Sequence, residues 1–99
     1  RVLLNNNHPT TRTNLLMKPG LSYEQSNKIY NSIIREAAFD LKDRVCFQDI
    51  EKEFNNKIEG KKDLSKLLLD DGLHLNEAGH DFYFEVMWPN IIKTLNLKQ

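Results

Sequence analysis

The chain has 99 residues, 39% of them hydrophobic and 28% charged, and its basic and acidic side chains balance to a formal net charge of zero. This composition is expected of one small soluble globular domain, and it gives no long-range attraction toward nucleic acid or an anionic lipid surface. No apolar run approaches the roughly 20 residues that span a bilayer, and the lone Cys46 excludes an intrachain disulfide.

Arg1 leads directly into Val2-Leu3-Leu4, a short apolar run that stops at Asn5-Asn6-Asn7. The run reads as a buried strand ending in a polar loop. A chain that opens on a strand, without a signal-peptide pattern, is expected to be a fragment, a processed chain or the ordered part of something longer. Residues 5–20 are rich in Asn, Thr, Pro and Gly and predict a long loop, which Leu15, Leu16 and Met17 would pin to the body. Ser22, with Gln25 three residues on, forms a capping-box pattern and predicts a helix from about Tyr23 to Leu41. Ile29, Ile33, Ala37 and Leu41 recur every four residues, with Tyr30, Ile34 and Ala38 beside them. They predict an apolar stripe laid on a sheet.

Asp43-Arg44 marks a turn, and Val45-Cys46-Phe47 reads as a second buried strand closing at Gln48-Asp49. In that run Cys46 is expected to be a small buried residue. Ile50 and Phe54 predict a short helical turn. Asn55 to Asp63 predict an exposed loop with Lys61-Lys62 as a solvated turn, and Leu64 to Leu69 predict a short helix. Asn76 is a good N-cap, with Glu77 in the first turn of a closing helix that carries Phe82, Tyr83, Val86, Met87, Ile91, Ile92 and Leu95. Pro89 inside it predicts a kink or break near Trp88.

The order strand, helix, strand, short helices, helix implies parallel pairing across a crossover. Parallel strands are normally buried on both faces of a larger sheet, and two of them leave open edges. The expectation is therefore a part of a larger α/β domain whose other strands come from another segment or another chain.

The residues that carry chemistry lie in Asp71-Gly72-Leu73-His74-Leu75-Asn76-Glu77-Ala78-Gly79-His80. An acid three positions before an imidazole, on a loop opening a helix, lets the carboxylate hold one ring nitrogen while the other faces a cleft. Such a pair is the proton-handling end of a nucleophile-activating relay. His80 reads as structural, bonding a loop carbonyl. Asp71, His74 and His80 together fit no standard zinc spacing, so neither metal nor cofactor is expected. His8-Pro9 and Arg12 read as a solvated loop with a substrate contact as the alternative. Asp49 reads as a structural strand-end carboxylate, and Phe82, Tyr83, Phe84 and Trp88 read as core.

The segment from Leu69 to His80 resembles the C-terminal signature of the SGNH hydrolases, also called GDSL esterases and lipases. That signature runs Asp-Gly-x-His, a few residues, then Gly-His and a closing helix. Val2-Leu3-Leu4 is similar to the family's strand before a Thr-Pro-rich loop, Ser26 to Asn31 to the start of its next helix, and Val45 to Asp49 to the strand after. The resemblance covers nearly all of this chain but only the C-terminal half of a typical member. It implies a three-layer α/β/α sandwich with a parallel, flavodoxin-like sheet, with residues 1–99 forming its C-terminal portion. It implies that His74 is the general base and that Asp71 orients it. The family's serine lies in an N-terminal Gly-Asp-Ser motif, and its oxyanion-hole glycine and asparagine lie between that serine and the strand where this chain opens. None of these motifs occurs here: Ser22, Ser26, Ser32 and Ser65 sit in helical contexts, and Asn5, Asn6 and Asn7 come too late in the order.

The resemblance therefore implies the relay portion of a serine-dependent ester hydrolase that is inactive as this chain alone. The implied partners are a small ester substrate, an acylated sugar or lipid, and the N-terminal half of the same domain, in cis or as a separate chain. Two other readings follow from the missing nucleophile and from the small size: a non-catalytic binding module derived from such a hydrolase, and an independent α/β interaction domain.

Overall fold

The computed structural model describes residues 2–13, 20–58 and 60–95. Within them the chain forms β1 (Val2–Asn5), α1 (Tyr23–Asp40), β2 (Val45–Gln48), α2 (Ile50–Lys57), α3 (Lys61–Ser65) and α4 (Glu77–Thr94). The two strands pair in parallel, Val2 opposite Val45 through Asn5 opposite Gln48. Mixed α/β architecture with a parallel sheet is thus present. Leu15, Leu16 and Met17, expected to pin the first loop, lie outside the described residues, as do the side chains of Lys61 and Lys62.

Local chemistry explains the helix ends. The Ser22 hydroxyl accepts from the Gln25 N–H at 3.1 Å, and the Gln25 side chain accepts from the Ser22 N–H at 3.0 Å. This closes the predicted capping box. Asp49 caps α2 by accepting from the Lys52 N–H at 3.0 Å. That cap extends the expected single turn into a helix of 8 residues. The predicted loop 55–63 is correspondingly shorter, with helix at both ends. Leu67 to Leu69 are not helical as predicted. They leave α3 through a turn, and Leu68 forms an antiparallel bridge with Leu75.

Two other expectations are corrected. α4 runs unbroken through Pro89. Proline removes the one N–H that would bond the Glu85 carbonyl, and the helix continues past it; the Gln48 side chain ties the neighbouring Val86 carbonyl to β2 at 2.6 Å. The predicted apolar stripe of α1 does not lie on the sheet. Ile29, Tyr30, Ile33 and Leu41 are exposed, and the buried positions are Asn31 and Ala38.

A polar network occupies the face that the stripe was expected to fill. Asn6 and Asn31 are fully buried. Asn6 donates to Asp49 at 2.7 Å and accepts from the Glu51 N–H at 3.1 Å. Asn31 exchanges hydrogen bonds with the backbone of Asn7 and donates to Glu51 at 3.0 Å. Arg35 forks onto Asp49 at 2.6 and 2.9 Å and onto Glu51 at 2.6 Å. Burying polar groups costs free energy unless each is satisfied, and mutual pairing meets that condition. The network ties α1 and the start of α2 to the C-terminal ends of both strands.

Partial burial pushes the Asp49 carboxyl up, but hydrogen bonds from Arg35, Asn6 and the Lys52 N–H outweigh it and bring it down to about 2 from 3.8. A depressed folded-state value contributes stability that is complete above the unfolded-state value and lost as pH falls through the folded one. Urea unfolding midpoints should therefore fall between about pH 4 and pH 2. The fall should be shallower in Asp49→Asn, and equal pH slopes in the two proteins would refute the assignment.

The apolar core lies away from α1. Ile50, Phe54, Leu64, Leu68 and Leu75 are buried together, with Phe82, Tyr83, Val86 and Met87 of α4 packed against them. Phe54 stands edge-on to Phe82 at 4.8 Å between ring centres. α4 also packs across both strands. Phe84 and Trp88, expected in the core, instead stack on each other at 5.6 Å on the exposed face of α4. Cys46 is half-buried rather than buried. No helix among the described residues is long and apolar enough to cross a membrane.

Candidate active site

Leu68 and Leu75 plug the two legs of a short loop into the core. Between the legs the Leu69 N–H donates to the His74 carbonyl at 2.8 Å, and the Gly72 N–H donates to the Leu69 carbonyl at 3.0 Å. The loop is closed below by the Asn76 N–H on the Leu67 carbonyl at 3.0 Å. Asp71 and Gly72 form its tip. Gly72 adopts φ +69°, a left-handed conformation that L side chains rarely take. Its carbonyl accepts from the N–H groups of Thr11 and Arg12 at 2.9 and 3.2 Å, which joins the tip to the loop after β1.

The tip brings Asp71 and His74 together. Asp71 Oδ2 lies 2.5 Å from His74 Nδ1. Asp71 Oδ1 accepts from the N–H groups of Leu73 and His74 at 2.9 and 3.0 Å. Hydrogen bonds from the His74 ring, then from these two N–H groups, hold the Asp71 carboxyl well below the usual carboxylate range. A carboxylate only accepts, so Nδ1 carries the hydrogen and an uncharged ring offers Nε2 as a lone pair. The ring is 68% exposed, and no described residue bonds its Nε2. The pair has the geometry of a base held in one tautomer and one orientation.

Asn76 anchors this arrangement to α4. Its Oδ1 accepts from the Gly79 N–H at 2.8 Å, and its Nδ2 donates to the carbonyls of Lys66 and Leu68 at 2.8 and 3.2 Å. One side chain therefore caps the start of α4 and the outgoing end of α3. Asn76→Ala should cost about 1–2 kcal/mol, the upper range for a lost cap. A urea-midpoint loss equal to that of an exposed control, Lys52→Ala, would contradict this role.

The position of Gly79 is equally demanding. A Cβ there would lie 2.1 Å from the Leu67 carbonyl oxygen. Helix α4 thus begins in direct backbone contact with the leg of the loop that carries Asp71 and His74. His80, the next residue, is exposed, and its ring bonds none of the described residues, so the expected loop-carbonyl contact is absent. Asp71, His74 and His80 do not gather as a ligand set, and no metal-holding group of three or more such side chains occurs among the described residues.

Ser22 caps α1, Ser26 and Ser32 lie within it, and Ser65 ends α3. None of these serines is brought to His74 by a contact in the structure. A cleft of about 560 Å³ opens between α1 and α2, lined in part by Arg35 and Glu51, but neither Asp71 nor His74 lines it. Its strongest polar groups, Arg35 and Glu51, are already engaged with one another. The sequence reading missed the Asn6, Asn31, Arg35 and Glu51 network. Its signal was the polar repeat Asn27, Asn31, Arg35 at four-residue spacing along α1. Comparison with protein-family models, with curated proteins and with solved structures returned no match.

Proposed function

We propose that this chain supplies the acid–base part of a serine-dependent ester hydrolase of the SGNH type. The single observation that carries the reading is the Asp71–His74 contact at 2.5 Å, with Nε2 left open toward solvent. In the proposed reaction His74 Nε2 takes the proton from a serine hydroxyl as its oxygen bonds the ester carbonyl carbon. His74 returns that proton to the departing alcohol oxygen as the carbon–oxygen bond breaks. Water then repeats the sequence on the acyl-serine and releases the acid. Asp71 keeps the ring aimed throughout and stabilises its charged form.

The serine and the oxyanion donors come, in this reading, from a segment outside these 99 residues that completes a three-layer α/β/α sandwich. Three features support such a partner. The N–H groups of Val2 and Asn6 turn toward β2, so strand alternation leaves the Leu3 and Asn5 backbone on the free edge of β1. Ile29, Tyr30 and Ile33 form an exposed apolar face on α1, and Phe84 and Trp88 form another on α4. Such faces are what a larger sheet and its helices would cover. The substrate class is an ester of an acylated sugar or lipid.

A second reading is a binding module that has lost its chemistry, favoured by serines that are all committed to helices. Turnover of p-nitrophenyl acetate by the natively expressed protein, with whatever chain accompanies it, separates the two. Hydrolysis above the uncatalysed rate is expected, and its absence would leave the binding module as the better account.

A further inference from the structure

The loop after β1 carries an imidazole that the relay does not use. The His8 carbonyl accepts from the Asn27 side chain at 3.0 Å, and its ring lies 5.9 Å from Phe54. Phe54 in turn packs on Phe82, early in α4. The same loop is bonded to Gly72, between Asp71 and His74, through Thr11 and Arg12. His8 therefore sits on a segment joined to the relay from one side and packed against the base of α4 from the other.

The tautomer of His8 is set by its own neighbour. Its Nδ1 lies 2.8 Å from the Pro9 carbonyl, which only accepts, so Nδ1 carries the hydrogen. Nε2 is left as a lone-pair acceptor that no described residue fills. Burial pushes the imidazole down. The Pro9 carbonyl opposes this, and the charges of His80 and His74 add to the lowering. The balance favours the uncharged ring. Arg12, the other candidate in this loop, is held with its guanidinium 4.5 Å above the Tyr23 ring.

We propose that His8 contacts the substrate, its Nε2 accepting a hydrogen bond from a hydroxyl on the alcohol portion of the ester. This inference rests on the hydrolase reading, and it selects polyol and sugar esters over esters of simple alkanols.

The test uses glycerol monoacetate and ethyl acetate with the natively expressed protein. In His8→Phe, which keeps a ring against Phe54, the ratio of kcat/KM for glycerol monoacetate over ethyl acetate should fall about tenfold, mostly through KM. His8→Gln, whose amide oxygen reaches near the Nε2 position, should restore part of it. Proportional losses on both esters, or no loss, would overturn the proposal. Long-range proton–nitrogen NMR at pH 7 gives a second readout, in which His8 should hold its hydrogen on Nδ1. Finding it on Nε2 overturns the proposal whatever the kinetics. Wild-type protein that turns over neither ester removes the hydrolase reading and this inference with it, whereas failure of His8 alone leaves wild-type turnover intact.

Discussion

His74→Ala should lower ester turnover by about ten-thousandfold to a millionfold, and Asp71→Asn by about ten-thousandfold. The two effects differ because the residues do different work. In the proposed mechanism, no group takes the serine proton once the imidazole is gone. With Asp71→Asn the ring remains, but an amide presents a donor as well as an acceptor, so the ring is no longer held with its hydrogen on Nδ1. The backbone bonds from Leu73 and His74 to Asp71 Oδ1 are retained by the amide oxygen, so folding should change little. The double variant should be about as impaired as His74→Ala alone, because the two act as a unit. Steady-state kinetics with p-nitrophenyl acetate decides this. A loss of less than tenfold in either single variant would refute the assigned roles.

Gly79→Ala should destabilise the fold by about 3 kcal/mol or more, although alanine favours an exposed helix interior over glycine by about 1 kcal/mol. The expected sign follows from geometry. The added methyl would stand 2.1 Å from the Leu67 carbonyl oxygen, with two Leu75 atoms 3.0 and 3.1 Å away. The obstacle is backbone, which cannot rotate aside as a side-chain tip can. Either α4 shifts from the loop or the loop loses its closing bond between Asn76 and Leu67. Both outcomes displace Asp71 and His74. For a chain of this size the cost corresponds to a fall in Tm of roughly 12 °C or more. A Gly79→Ala protein that melts at or above the wild-type temperature would contradict the packing described.

The parts of the fold that follow from local chemistry were legible in the sequence. The capping box at Ser22 and Gln25, the N-cap at Asn76 and the two short apolar strands, which are mostly half-buried rather than buried as expected, each depend on residues within a few positions of one another. The Asp71–His74 pair belongs to the same class, since a three-residue spacing on one loop brings both side chains together. The errors share a different cause. Ile29, Ile33 and Leu41 were expected to face a sheet because periodicity shows which residues could be buried together, not what is available to cover them. The competing repeat Asn27, Asn31, Arg35 turns inward instead, with Asn31 fully buried, because Asn27 bonds the His8 carbonyl and Asp49 and Glu51, more than a dozen residues away, satisfy Asn31 and Arg35. Pro89 was expected to interrupt α4, but the helix continues past the one bond lost at the Glu85 carbonyl, and it is held to β2 by Gln48, 38 positions from the Val86 carbonyl it bonds. The role of Gly79 was hidden for the same reason, since its close neighbour Leu67 lies across a loop.

These distant contacts also define how the site is held. The polar network fixes the loop after β1, that loop grips the Gly72 carbonyl, and Asn76 with Gly79 seats the other end on α4. The imidazole is thus supported from three directions while its outer nitrogen remains open. In the proposed reading, a serine from a partner segment would approach that open nitrogen.

Labelling with a fluorophosphonate tests the central claim most directly. The natively expressed protein should incorporate the probe on one serine outside residues 1–99, and His74→Ala should abolish labelling without unfolding the chain. Absence of labelling, or labelling that survives His74→Ala unchanged, would contradict the assignment of Asp71 and His74 as the relay that activates that serine.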